Sequence, residues 1–498
     1  MNYFMGIDLG GTVVKASVFD AEGTELGTSG RRTTLVSDVP GQAERSIEET
    51  RRLALEAIRE ALQASGVEGS KVSAVGTTGH GKGVYTLDRD GNPDLGVVST
   101  DTRSIDVSNR LLSSKDFREA IYSRILQPLW PAHTATILTW LKETHRDIYD
   151  RIGTIMFAKD VLRYILTGTV ATEKTDVSGS GLWNNREDHL DEDVLRRLGI
   201  EEMKDAVPEV FDSHQIAGKV QAEVAAATGL TEGTPVVGGI FDVNGAALAT
   251  GLRDPDELAA VVGTWSISEF VSDDVSRVLE SDQMYVIQAH CVPGQWMVHE
   301  ASPTSASNLE WFTQSLLPDI PEKERFDYCN DVVSRTQETG VTFFPFIFGD
   351  DLGANATGTM WGLRPGTGRE EIIRAIYEGI VFQHARHLNR LLEVMETPRR
   401  IRFAGGATRS EVWMRMFADV LGIPVAVSPA TELGALGAAI CAAVGVGQFD
   451  GFPAAMEAMT GIRETYEPNE AKGRPLREKQ ARFDNAVHDM AGIWREYG

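Results

Sequence analysis

Cysteine is scarce in this chain: only Cys291, Cys329 and Cys441 occur among 498 residues. They lie far apart with no CxxC or Cys/His spacing, which excludes a disulfide framework and a thiolate zinc site and fits a reducing compartment. Positive charge is also in deficit, with 48 Lys and Arg against 72 Asp and Glu for a formal charge of −24. Such a surface repels phosphate backbones and anionic bilayers over about a Debye length, so neither nucleic acid nor membrane is expected as a partner. No apolar run approaches the ~20 residues that span a bilayer. The first residues enter a strand without a basic-then-apolar leader, so a cytoplasmic protein is expected. A GxxxxGK[ST] loop is missing, which excludes a P-loop nucleotidase, and the first glycine turn is not a dinucleotide-binding GxGxxG.

What is present is a repeated plan. The length argues for at least two domains. Residues 3–8 (YFMGID), 13–19 (VVKASVF) and 25–31 (ELGTSGR) have the pattern of three short strands separated by glycine turns. An amphipathic helix is expected from Ser46 to Ala64, followed by a strand in KVSAVGTT. The same order returns in the second half, where ELAAVVGTWSISEFV (257–271) reads as strand, turn and strand. QMYVIQAHCV and QWMVHEAS follow, and later a long helix runs into the strand RIRFAGG. The division is expected between 1–247 and 248–498, in NGAALATGLRDPDEL, where Gly245, Gly251 and Asp254-Pro255 interrupt the periodicity. Two lobes on a short hinge leave a cleft, the usual place for a ligand. The final ~50 residues have mainly helical periodicity.

Three glycine loops carry the chemistry. Asp8-Leu9-Gly10-Gly11-Thr12 sits between two strands, where main-chain N–H groups can approach an anion closely, although a plain hairpin has the same appearance. Gly263 and Thr264 occupy the matching turn of the second half, so the two loops could grip one triphosphate from both lobes. Gly405 and Gly406 lie between a strand and a helix, open to a flat ring, with Thr408 and Ser410 as possible caps. Asp242 follows a buried strand and a diglycine where helical periodicity begins, a position that also suits a helix cap.

With these residues the chain resembles the FGGY carbohydrate kinases of the actin, hexokinase and heat-shock chaperone ATPase superfamily, from about Met5 to about Gly445. The most specific stretch is Gly358-Thr-Met-Trp-Gly-Leu363 followed by Glu371 to Glu378, which matches the second family signature. An earlier signature departs from the pattern at Ile137, where a lysine is usual. Within the family, MFAKDVLRYILTG, VVGTWSIS, HEASPTSASNLEWF and GHGKGVYTLD look most like the L-xylulose kinase branch.

The resemblance implies an α/β fold of two duplicated, actin/hexokinase-like (ribonuclease H-like) domains around a central cleft. The first would hold the sugar, Mg²⁺ and phosphates and the second the adenine nucleotide. It implies ATP and Mg²⁺ as cofactors, with Asp8 near the metal, Gly10, Gly11, Thr12 and Lys15 at the phosphates, and Gly263 and Thr264 opposite them. Gly405, Gly406 and Ser410 fall on the adenosine side, where Ser410 replaces a common asparagine and Ala306 and Glu310 replace a frequent glycine and glutamine. Asp242 matches the general base, and its place at a helix start is expected to keep it ionised. Val243 stands where many relatives have a polar neighbour, with Asn244 one place beyond. His80, Gly81, Lys82, Asp101, Arg103, Asp242 and Asn244 are implied at the sugar. Trp130 and His133 either line the sugar or are a core tryptophan beside a satisfied histidine. The expected reaction is transfer from ATP to the terminal hydroxyl of a ketopentose, in particular L-xylulose to L-xylulose 5-phosphate, by a protein that could form a homodimer. The alternatives are a polyol kinase for erythritol or glycerol, another pentulose or keto-gulonate kinase, a nucleotide-gated chaperone or filament protein, and a sugar-sensing module.

Overall fold

The computed structural model describes residues 2–263, 265–349 and 355–497. Strands β1 (Tyr3–Leu9), β2 (Val13–Phe19) and β3 (Glu25–Arg32) form an antiparallel meander. Helix α1 (Ile47–Ser65) starts where Ser46 Oγ accepts from the Glu49 N–H, and it ends on Gly66 in the left-handed region. Its apolar face, Leu53, Ala54, Ala57, Ile58 and Ala61, is buried in the core under the meander, and β4 (Val72–Gly79) returns parallel to β1. The sheet is completed by β5 (Ile216–Lys219), β6 (Pro235–Val237) and β7 (Ile240–Phe241), in the order β5-β6-β4-β1-β2-β3 with β7 beside β4.

Helix α2 (Asp242–Thr250) leads into the second sheet. There β8 (Glu257–Val262), β9 (Ser266–Ser272), β10 (Val286–Ala289) and β11 (Trp296–Ser302) precede a long helix, α3 (Arg369–Val394), and then β12 (Arg400–Ala404). Helix α4 (Glu411–Leu421), β13 (Val425–Val427), helix α5 (Leu433–Gly445), β14 (Glu464–Tyr466) and helix α6 (Glu470–Tyr497) follow. The order β14-β13-β12-β8-β9-β11 repeats β5-β6-β4-β1-β2-β3: β12 is parallel to β8 as β4 is to β1, while β10 is added at the edge and β7 has no counterpart.

One expectation fails at the junction. Gly245 does not interrupt the helix but lies inside α2, where a Cβ on Gly437 of α5 would come within 2.3 Å of its carbonyl oxygen. Two small residues let the helix backbones touch, and the helix stops only at Gly251, whose φ is 79°. Helix α5 also lies flat on the first sheet, since a Cβ on Gly6 or Gly76 would meet Ala435 O at 1.8 Å or Ala438 O at 2.0 Å. A helix late in the sequence therefore closes the core of the first half. Helix α6 docks through Phe483, stacked on Phe344 at 5.0 Å, and through Lys479, whose Nζ donates to Val341 O at 2.7 Å and Glu378 Oε2 at 2.6 Å. Glu378 of the second signature thus anchors the chain's last helix. Among the described residues, no helix is long and apolar enough to cross a membrane.

Candidate active site

Three parallel strands bring the first acidic pair to one edge. Asp8 of β1 is in register with Thr78 of β4, which is in register with Ile240 of β7. Asp242 follows β7 as the first residue of α2, so the two carboxylates leave neighbouring strand ends roughly 10 Å apart, two strand spacings. Carboxyl ends of parallel strands are where open α/β sheets bind ligands. Asp8 Oδ1 is buried with no hydrogen-bond partner. Burial raises the Asp8 carboxyl to about 6, offset in part by Lys15 and increased by Glu432.

Asp242 is half-buried. Its pKa is pushed well above the carboxylate range by burial, then by Asp8 and Asp176, against smaller lowering by the Val243 N–H and Lys82. Burial first, and then the two neighbouring carboxylates, act against the helix-start dipole that was expected to favour the ionised form.

The first glycine turn is tight, with the Gly10 N–H donating to Val13 O at 3.0 Å. Neither Gly10 nor Gly11 adopts a positive φ, and a Cβ on Gly11 would meet nothing within 4 Å, which leaves open space beside the loop. The loop is aimed by Arg45, a buried residue whose Nη2 donates to the carbonyls of Gly10 at 2.9 Å and Gly11 at 2.6 Å. Those contacts use the carbonyl side of both peptides. Thr12 is exposed and its carbonyl accepts from the Thr33 N–H at 2.9 Å. Lys15 Nζ is held by Glu432 Oε2 at 2.9 Å, from just ahead of α5, whose Gly434 approaches so closely that a Cβ would lie 2.8 Å from Asp8 Oδ2.

In the second half, Gly263 follows β8 and donates to Trp265 O at 3.2 Å, while Thr264 lies outside the described residues. Gly405 follows β12 with φ 97°, and a Cβ there would sit 2.6 Å from Val262 O. Only glycine fits that contact, so two glycine turns meet at the matching edge of the second sheet. A Cβ on Gly406 would meet open space. Ser410 caps α4 by accepting from the Trp413 N–H at 3.3 Å, and it donates to Asn330 Oδ1 at 2.6 Å.

The loop after β4 forms the third wall. A Cβ on Gly81 would lie 2.2 Å from the Phe241 ring, so this glycine is required for the loop to rest on the residue before Asp242. Lys82 adopts φ 61°, a strained conformation for a lysine, and its Nζ lies 4.8 Å from the Trp130 ring centre and 5.4 Å from that of Phe241. Burial lowers Lys82 to about 8, while Asp242 and Asp176 act to hold its proton. His80 is engaged with the Tyr85 hydroxyl at 3.1 Å, and burial, with Arg45, lowers it to about 3.

Other residues expected at the sugar have their polar atoms occupied. Asp101 accepts from the Ala43 N–H at 2.6 Å and from Arg103 Nε at 2.9 Å, and Arg103 continues to Glu44 at 2.8 Å, a clamp between two segments of the first lobe. Asn244 donates to Ala289 O at 3.0 Å and accepts from Gln288 Nε2 at 3.0 Å, so it ties α2 to the second sheet. His133 is satisfied by Gln127 Oε1 at 3.1 Å and the Trp130 N–H at 3.1 Å, while half-buried Trp130 flanks Lys82.

Arg45 and Asp176 were missed. Asp176 is buried beside Lys159 Nζ at 3.2 Å, and Lys159 also meets Asp160 at 2.7 Å. Burial raises Asp176 to about 7. The run AKDVLR was visible, but no local pattern pairs its Lys159 with an aspartate seventeen positions on. A separate cavity of about 350 Å³, lined by Phe19, Glu25, Ala249, Thr431, Glu432 and Met459, includes neither Asp8, Lys82 nor Asp242.

Duplicated sheets with glycine turns at matching strand ends and a carboxylate at the start of the connecting helix are the plan of a two-lobed sugar kinase, and sequence similarity names the family. The chain belongs to the FGGY family of carbohydrate kinases: residues 3–249 match the N-terminal domain of that family and residues 258–446 its C-terminal domain. It is 36% identical to the L-xylulose/3-keto-L-gulonate kinase of Escherichia coli, over 99% of this chain and 98% of that protein. A probable L-xylulose kinase of Pasteurella multocida is 34% identical, covering 90% of this chain and 92% of the relative. The crystal structure of xylulose kinase from Rhodospirillum rubrum superposes with a TM-score of 0.88 at 25% identity, covering 99% of this chain and 100% of that one. The fold is the two-lobed actin/hexokinase-like one, and the protein is an ATP-dependent sugar phosphotransferase.

Proposed function

We propose that the protein transfers the γ-phosphoryl group of ATP to the terminal hydroxyl of L-xylulose, giving L-xylulose 5-phosphate and ADP. The convergence of Asp242 with Lys82 beside an unpartnered Asp8 oxygen carries this reading, and full-length similarity to L-xylulose kinases supports the choice of sugar. Lys82, backed by the faces of Trp130 and Phe241, donates to sugar oxygens and orients the chain toward Asp242. Asp242 accepts the proton of the attacking hydroxyl as the new O–P bond forms and the bond to ADP breaks. Because the transition state of phosphoryl transfer is loose, alignment and charge neutralisation matter more than nucleophile strength. The Gly11 N–H, in the turn fixed by Arg45, and the Gly406 N–H, in the turn after β12, both beside open space, are offered to phosphate oxygens, while the Gly10 and Gly263 N–H groups hold their own turns closed. Lys15 exchanges Glu432 for phosphate when nucleotide enters.

Mg²⁺ fits Asp8. One orphaned carboxylate oxygen, with phosphates and waters completing the shell, suits a small hard cation, and no cluster of three ligating side chains stands ready among the described residues. When bound, the ion would neutralise charge on the transferring phosphates. We place the division between sugar and nucleotide halves at 247/248, beside the gap between the two family matches, and the enzyme in the cytoplasm. ADP release measured across L-xylulose, other ketopentoses, erythritol, glycerol and keto-gulonate tests the reading. Strongest turnover with L-xylulose supports it, and preference for a three- or four-carbon polyol would replace it.

A further inference from the structure

One buried carboxyl of the second sheet faces the helix that carries Asp242 with neither oxygen bonded, and two buried neighbours each leave one polar atom unpaired. Strand β9 alternates its faces. Ser266 Oγ meets His384 Nδ1 of α3 at 2.8 Å on one side, while Ile267 and Val271 cluster with Phe241, Val243 and Ala247 on the other. Glu269 lies between Ile267 and Val271 and shares their face by the two-residue period of a strand. It is 0% exposed, and neither carboxylate oxygen has a hydrogen-bond partner.

Its cross-strand neighbour on β11 is His299, 1% exposed, whose Nδ1 is also unpartnered. On β10, Gln288 stands opposite Met297 of the same face; its Nε2 reaches Asn244 of α2, and its Oε1 is left unpaired. The charges these groups feel show where the face points. Asp242 is the charged neighbour acting on Glu269, and Lys82 is the one acting on His299.

A buried carboxyl without a partner is strongly unfavourable, and an apolar side chain of similar size would stabilise the fold. Such a group persists when a ligand completes it, because stability is given up at sites that must bind. We propose that Glu269, with His299 and Gln288 beside it, forms the far wall of the acceptor site and binds the hydroxyl groups at the end of the sugar chain remote from the one that is phosphorylated. This rests on the kinase reading and extends it: the acceptor is an open-chain polyhydroxy compound long enough to reach from Asp242 in the first half to Glu269 in the second. The sugar then touches both lobes, and its binding helps to draw them together.

The test is Glu269→Leu, with Glu269→Gln as a milder second variant. Each is compared with wild type in KM for L-xylulose, KM for ATP, acceptor-independent ATP hydrolysis, calorimetric binding of L-xylulose without nucleotide, and melting temperature. Loss of hydrogen bonds to a carboxyl is expected to weaken L-xylulose in E269L by about 10- to 100-fold, with a smaller change of the same sign in E269Q. KM for ATP and acceptor-independent hydrolysis should stay unchanged, and the melting temperature of unliganded E269L should rise. Unchanged L-xylulose binding would overturn the proposal, as would a lower melting temperature with KM for ATP shifted in parallel, the signature of a merely structural residue. If wild type turns over the pentulose and E269L does so equally well, this inference alone fails. If wild type neither binds nor phosphorylates it, the kinase reading falls as well.

Discussion

Replacing Asp242 by Asn keeps the shape of the side chain and removes both its charge and its ability to take a proton. A positioned general base contributes roughly 10²–10⁴ in rate, about 3–5 kcal/mol of barrier at 1.36 kcal/mol per decade, and that is the loss expected in single-turnover phosphorylation of L-xylulose. KM for ATP should hold, since the glycine turns and Arg45 are untouched. The same variant has a stability signature with a definite sign. The folded-state pKa of Asp242 is raised by burial, Asp8 and Asp176, so the folded chain holds a proton that the unfolded chain releases above the usual carboxylate range. Wild type therefore loses stability as pH rises through that window, whereas D242N does not. The variant should melt higher than wild type at pH 8, and the gain should shrink toward pH 4. A rate within tenfold of wild type would remove Asp242 from the mechanism, and a lower melting temperature at pH 8 would refute the crowding of the three carboxylates.

Lys82 has a depressed pKa of about 8, so KM for the sugar should rise above that pH in wild type, and Lys82→Met should have a KM about tenfold higher with no alkaline limb in steady-state assays. Between about 8 and its ordinary 10.5 the unfolded chain keeps a proton the folded one has lost, so wild type gains stability with pH there and K82M lacks that gain in denaturant titrations. Arg45→Gln frees the carbonyls of Gly10 and Gly11 and should raise KM for ATP about tenfold while leaving calorimetric sugar binding within a factor of three. Gly81→Ala places a methyl 2.2 Å from the Phe241 ring, and overpacking of this kind costs about 1–3 kcal/mol. Its melting temperature should fall and kcat should drop with it, because Phe241 carries Asp242.

The duplicated plan could be read directly from the sequence because hydrophobic alternation and glycine turns are local. The strands at 3–9, 13–19 and 257–262 and the helix after Ser46 lie where the pattern put them. Asp8 and Asp242 stood out because each interrupts an apolar run at a strand end. Gly245 misled, since a glycine inside a helix marks a break unless a partner helix touches it, and that partner is 192 positions away at Gly437. Asp101 and Asn244 were implied at the sugar by the family resemblance, and their polar atoms are held by Ala43, Arg103, Ala289 and Gln288. Arg45, Asp176 and Glu269 gave no signal for a common reason. Their surroundings depend on which carbonyls, lysine or unpartnered polar groups long-range packing sets beside them, and no local spacing encodes that.

The most direct measurement follows both products of ATP turnover by ³¹P NMR, with and without L-xylulose. Transfer onto a terminal hydroxyl at the Asp8–Asp242 edge predicts ADP and pentulose 5-phosphate in equal amounts with wild type, and neither at a comparable rate with D242N. ADP with inorganic phosphate, formed equally fast whether or not the sugar is present, would contradict it.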